Sequence, residues 1–121
     1  MKKKILFIGF PNSIHVENWI ENINKKNNEI IFFPSTFREI SNKIKKKTDY
    51  FERKSYIGFL ISLLNIKKLF FDYKLYIKQL GICSFDLLKI INKYKPNIIH
   101  ALEFQHSGYL LINIYKKINY E

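Results

Sequence analysis

In Lys4-Ile5-Leu6-Phe7-Ile8-Gly9-Phe10 every residue after the lysine is apolar, without alternation, and the run leads straight into the polar loop Pro11-Asn12-Ser13. A strand with one wet face alternates polar and apolar residues; one apolar at successive positions is buried on both faces. Such a strand needs helices above and below it, and parallel neighbours reached through crossover connections. The same pattern returns late in the chain. Asn97-Ile98-Ile99-His100-Ala101 follows Pro96 and opens into Leu102-Glu103-Phe104-Gln105-His106-Ser107-Gly108-Tyr109. Two buried strands, each ending in a polar loop that starts a helix, restrict the chain to an α/β fold.

The first loop leads into a helix with Asn12 or Ser13 as its N-cap. Val16, Trp19, Ile20 and Ile23 fall on one side, and Glu17, Asn18, Glu21 and Asn22 on the other. Residues 29–33 form a second apolar strand closed by Pro34. This unit has the size of a βαβ crossover, about 30 residues. A basic helix is expected over residues 37–47, with Phe37, Ile40 and Ile44 as its stripe, then a polar connection over 48–55. Residues 56–80 read as one or two helices, with a strand over 68–73 as the alternative, ended by Gly81. Ser84 caps a further helix with Phe85, Leu87, Leu88 and Ile91 on its apolar face and Asp86 in its first turn. Pro96 stops it. Ser107 starts a last helix over 108–118 that should lead into another strand, and sheets usually hold about four to six strands. The expectation is a single Rossmann-like domain, 1–121, whose parallel sheet is incomplete before its last strand or strands, with a helical insertion around 37–80.

Composition narrows the class. At 121 residues, with 47% hydrophobic side chains including 11 Phe and 8 Tyr, the chain has ample core material and is not a disordered sequence. One cysteine, Cys83, excludes an intrachain disulfide and a thiol zinc framework, and reads as a small buried hydrophobe. The net charge of +11 comes almost wholly from lysine; the only arginines are Arg38 and Arg53. Nucleic-acid readers lean on arginine. A solvated lysine surface is therefore preferred, then an anionic membrane face, with nucleic acid last. No secretory signal is visible, and no stretch approaches the ~18 apolar residues of a membrane span. The chain is expected to be cytoplasmic, touching the inner face of a membrane, if at all, through residues 53–78.

In an open α/β sheet, ligands sit outside the carboxyl ends of neighbouring strands whose helices leave to opposite faces. If strands 3–9 and 97–101 are neighbours, their two loops share that crevice. Asn12, Ser13 and the helix start offer donors, Glu103 accepts, Gln105 does either, and His15 and His106 titrate near neutral pH. Plainer readings stand beside these. Ser13 is equally a helix cap, His100 a structural histidine, Trp19 a core residue, and Glu103 or His106 a cap on the last helix. No motif makes His15, Glu103 and His106 a metal site, so no metal is expected. Gly9-Phe10-Pro11 lacks the second and third glycines of a dinucleotide fingerprint, so NAD is rejected and no cofactor is expected.

The order of these motifs resembles the N-terminal domain of family-4-like glycosyltransferases, which pair two Rossmann-like domains in a GT-B fold. The matching residues are the first strand at 4–9, Ser13-Ile14-His15-Val16-Glu17-Asn18-Trp19, Asn28-Glu29-Ile30-Ile31-Phe32, and the stretch from Lys95-Pro96-Asn97 to Gly108-Tyr109. The chain departs where some members carry paired glycines (here Phe10-Pro11-Asn12-Ser13), a second histidine (Leu102) or an arginine before the tryptophan (Asn18). The resemblance implies an acceptor-side domain of an enzyme moving sugar from a nucleotide-sugar donor to a glycan or lipid-linked acceptor. Asn12, Ser13, His15, Glu103, Gln105 and His106 would then bind substrate. The donor would be held by a C-terminal domain that does not fit within 121 residues, so the isolated chain should not turn over. The competing class is a non-catalytic basic α/β binding module for a membrane surface or nucleic acid. A receiver-type module is disfavoured, because Phe10-Pro11-Asn12 supplies none of the acidic residues such a domain needs.

Overall fold

The computed structural model describes residues 1–23, 26–52, 73–115 and 117–118. Four strands form one all-parallel sheet: β1 (Lys3–Gly9), β2 (Asn28–Pro34), β3 (Asp49–Tyr50) and β4 (Ile98–Ala101), in the order β3-β2-β1-β4. The helices among the described residues are α1 (Ile14–Asn22), α2 (Asn42–Lys47), α3 (Tyr73–Tyr94) and α4 (Tyr109–Tyr115), the last preceded by a π-helical turn at Phe104–Gly108. This is the expected α/β, Rossmann-like arrangement.

The apolar runs account for the layers. Phe7, Ile30 and Phe32 point to one face and pack with Val16 and Ile20 of α1 and Ile44 of α2. Leu6, Ile8, Ile31 and Phe33 point to the other and meet Cys83, Leu87, Ile90 and Ile91 of α3 with Leu110 and Ile114 of α4. Alternate residues of the same strand thus feed two cores, which is why β1 cannot carry a polar face. β1 lies between β2 and β4, and α1 and α4 leave toward opposite faces.

Several expectations change. The strand at 97–101 is shorter, Ile98–Ala101, and only half-buried, because β4 has a single strand partner among the described residues. The helix expected over 37–47 shrinks to α2. Ser41 takes the cap position by accepting from the Ile44 N–H at 3.4 Å, and its own N–H donates to Pro11 O at 2.7 Å. Phe37, left outside the helix, packs on the core opposite that of Ile40 and Ile44. The polar connection contains β3, whose Asp49 and Tyr50 pair with Ile31 and Phe32. Phe51 extends it by donating to Phe32 O and stacking on Phe33 at 5.3 Å.

Gly81 does not end a helix, and Ser84 does not begin one; both lie inside α3. A helical glycine costs roughly 1 kcal/mol against alanine, less than the continuous stripe of Cys83, Leu87, Ile90 and Ile91 returns by burial. Phe85 lies outside the core, 60% exposed, with the Lys89 ammonium 4.5 Å from its ring centre. The strand alternative at 68–73 and the contact segment at 53–78 fall largely outside the described residues. Tyr73, the end of the former, starts α3, so the described part of the insertion around 37–80 mixes helix with the short strand β3. α3 ends where Lys95 takes a left-handed backbone (φ 47°) and buried Pro96 follows. The last helix, expected over 108–118, closes at Tyr115.

Candidate functional site

The carboxyl ends of β1, β2 and β4 share one rim, and a single side chain organises it. Glu103 lies two residues beyond β4. One of its oxygens, Oε2, accepts from the Phe10 N–H just beyond β1 at 3.0 Å. The other, Oε1, accepts from the hydroxyl of Ser35 just beyond β2 at 2.6 Å and from Ser107 in the π-helical turn at 2.5 Å. Ser35 and Ser107 are buried and Glu103 is half-buried, so both hydroxyls donate to the carboxylate from positions closed to solvent. A carboxylate has about four acceptor directions, and the chain itself fills three.

Local sequence sets this up. The π-helical turn opens at Glu103, whose carbonyl accepts from the Gly108 N–H at 3.1 Å, and it carries Ser107 back under the carboxylate. Such wide turns recur at functional sites. Gly9 makes the close approach possible. A Cβ there would lie 3.0 Å from Val16 Cγ2, 3.3 Å from Leu102 Cδ1 and 3.4 Å from Glu103 Oε2. Backbone bonds complete the knot: Ser35 N–H donates to Gly9 O at 2.9 Å and Leu102 N–H to Ile8 O at 2.8 Å.

The six expected site residues divide. Glu103 is at the centre. His106, half-buried in the π-helical turn, meets the Phe10 ring edge-on with centroids 5.2 Å apart, which joins the first and last loops. Ser13 occupies the N-cap of α1, but its side chain makes no capping bond; its carbonyl accepts from Glu17 and its N–H donates to Phe10 O at 3.4 Å. Asn12, His15 and Gln105 are exposed on the same rim. Val16, next to His15, and Glu103 both flank Gly9, so the first turn of α1 stands beside the carboxylate.

Two further residues belong to this constellation, Phe10 and Ser35. The signal for Ser35 was its position directly after Pro34 at the end of an apolar strand, the rule that singled out Asn12 and Ser13. His100 packs among aromatic rings. Its ring lies 5.5 Å from both Phe7 and Trp19, and Trp19, expected in the core, is instead 55% exposed on the flank of α1.

The lysines are largely accounted for near α2. Glu17 and Glu21 of α1 pair with Lys43 and Lys47 of α2 at 3.5 and 2.7 Å, and Lys45 reaches Glu39 and Glu52 at 3.7 and 3.5 Å. Lys47 holds the Glu21 carboxyl below the usual range, first by its hydrogen bond and then by its charge. Among the described residues, no three His, Cys, Asp or Glu side chains gather to hold a metal ion, and no helix is long and apolar enough to cross a membrane. Comparisons with protein-family models, curated proteins and solved structures give no match to this chain.

Proposed function

We propose that the chain is an acceptor-side, N-terminal glycosyltransferase domain, and that its substrate lies at the β1/β4 junction. The observation that carries this is the Glu103 knot. It fixes three loops at the one place in a doubly wound sheet where adjoining strands send their helices apart. Around it the chain offers groups suited to a sugar hydroxyl: Asn12, the Ser13 hydroxyl and the N-terminus of α1 as donors, with His15, Gln105 and His106 able to donate or accept. Glu103 is a positioning residue in this scheme, not a base, because its acceptor capacity is mostly used within the chain. Transfer would require an electrophilic sugar delivered by a donor-binding domain opposite, and this rim would hold the accepting hydroxyl in line.

The test is an amide-resolved NMR titration of the 121-residue chain with a panel of mono- and disaccharides. Saturable shifts confined to residues 10–15 and 103–109, weakened by Ser13→Ala and His106→Ala, are expected. Shifts elsewhere, or none at millimolar sugar, remove the acceptor role. Reading the coding sequence beyond Glu121 tests the enzyme as a whole. A second Rossmann-like domain is expected there, and unrelated sequence would count against activity. The same use of Glu103 within the chain favours a second reading, a non-catalytic binding module, which an unresponsive sugar panel would leave standing.

A further inference from the structure

The opposite rim of the sheet gathers cations. Parallel strands begin, and the helices between them end, at one edge of the molecule, so topology brings together segments far apart in sequence. Lys2 precedes β1 and Lys3 opens it; Lys3 N–H donates to Asn27 O, and Lys4 exchanges bonds of 2.8 Å with Asn97. Lys46 lies in the last turn of α2, Lys95 follows α3, and Lys117 follows α4. Lys2, Lys3, Lys46, Lys95 and Lys117 are exposed, and none forms an ion pair among the described residues. A lysine at a helix end is explained by the helix dipole. Lys2, Lys3 and Lys95 are at a strand start and a connection, where no dipole calls for them. Among the described residues the acids near this edge are Glu21, which pairs with Lys47, and Glu29 and Asp49.

We infer that this rim docks on an anionic lipid surface. Its described cations are all lysine; Arg38 follows β2 and so lies at the other end of the sheet. Lysine is a hydrated point charge suited to a diffuse layer of anionic headgroups, whereas base and phosphate readers favour the planar arginine fork. Met1 and Tyr115, both strongly exposed, add an apolar and an aromatic group at the same edge, of the kind that settles at headgroup depth. Docked this way, the domain holds the Glu103 rim away from the bilayer. The inference is independent of any sugar-transfer role.

Flotation of the whole chain with vesicles decides it. Binding is expected to phosphatidylcholine vesicles containing phosphatidylserine, not to phosphatidylcholine alone, and to be lost in about 0.5 M salt, where screening lengths fall to a few ångströms. Each juxtamembrane lysine contributes roughly fivefold in affinity, so Lys2→Gln/Lys46→Gln/Lys117→Gln should weaken binding on the order of 100-fold. All three positions are exposed, and circular dichroism with a matching Lys→Arg triple variant separates lost charge from lost fold. Lys67→Gln/Lys68→Gln, in the segment read from sequence as the contact, should leave binding intact. Unchanged binding in the rim variant, loss in the Lys67/Lys68 variant, or tighter salt-sensitive binding to a DNA duplex than to the anionic vesicles would each overturn the inference.

Discussion

The two ends of the sheet solve opposite problems. At the carboxyl end one anion holds three loops, through groups 93, 68 and 4 residues away in sequence. At the amino end several lysines gather at strand starts and helix ends, and Lys47 there pairs with Glu21 near the end of α1 at the surface. The difference is one of burial. A charge bonded to buried hydroxyls is costly to remove, because its partners are then stranded, whereas exposed ion pairs are worth little each. The first rim should be intolerant of change and the second forgiving, whatever ligand either one meets.

The sharpest attempt to break that contrast is Glu103→Ala, which strands two buried hydroxyls and a backbone N–H. A loss of roughly 3–5 kcal/mol is expected by urea unfolding. Glu103→Gln, still able to accept at one oxygen, should lose about half as much. A cost below about 1 kcal/mol for the alanine variant would remove the knot as the organiser of this rim.

Next in size is Gly9→Ala. Its methyl would press on Val16 and Leu102 beside the carboxylate, and a cost of about 1–3 kcal/mol is expected. Thermal melts report it, and a Val16→Ala background should relieve much of it. Away from this rim, substitutions should be gains. Gly81→Ala in α3 meets nothing within 4 Å and should add about 0.5–1 kcal/mol. Lys95→Gly relieves the left-handed residue that ends the same helix and should add about 1 kcal/mol. Denaturant midpoints of the two singles and the double check these gains and whether they add.

The smallest effect tests the forgiving rim directly. Because the folded Glu21 carboxyl is held below its ordinary value, its pairing with Lys47 contributes above that ordinary value. The contribution fades as pH falls through the lowered one. Glu21→Gln should thus lower the urea midpoint slightly at pH 7 and not at all near pH 2, with the difference shrinking in salt. A large effect at pH 7 would dissolve the contrast between the rims.

Much of this was legible in the residues. β1 and β2 were marked by apolar runs closed by Pro11 and Pro34. The place of β4 beside β1 entered only as a condition, because a crossover fixes the hand of two strands and not which strand flanks the other edge. The position of Glu103 beyond β4 was legible too, but its role was not. Ser35 and Phe10 reach it across the fold, and no local pattern announces a bond between residues 35 and 103. β3 escaped notice because two paired residues have no periodicity to show; only Ile31 and Phe32 opposite them make Asp49 and Tyr50 a strand. Gly81 misled for the reverse reason. A local breaker was outweighed by the stripe beyond it, which only the sheet face of Leu6, Ile8, Ile31 and Phe33 makes decisive.

Cys83, the one thiol of the chain, is 2% exposed where α3 meets the sheet. A maleimide or disulfide reagent can reach it only when that helix lifts, so its labelling rate is a clock for one particular opening motion. If a ligand is taken at the Glu103 rim, it should leave the clock running at its own pace unless it also steadies α3. A single built-in reporter thus separates events at the carboxyl rim of the sheet from breathing of the layer behind it.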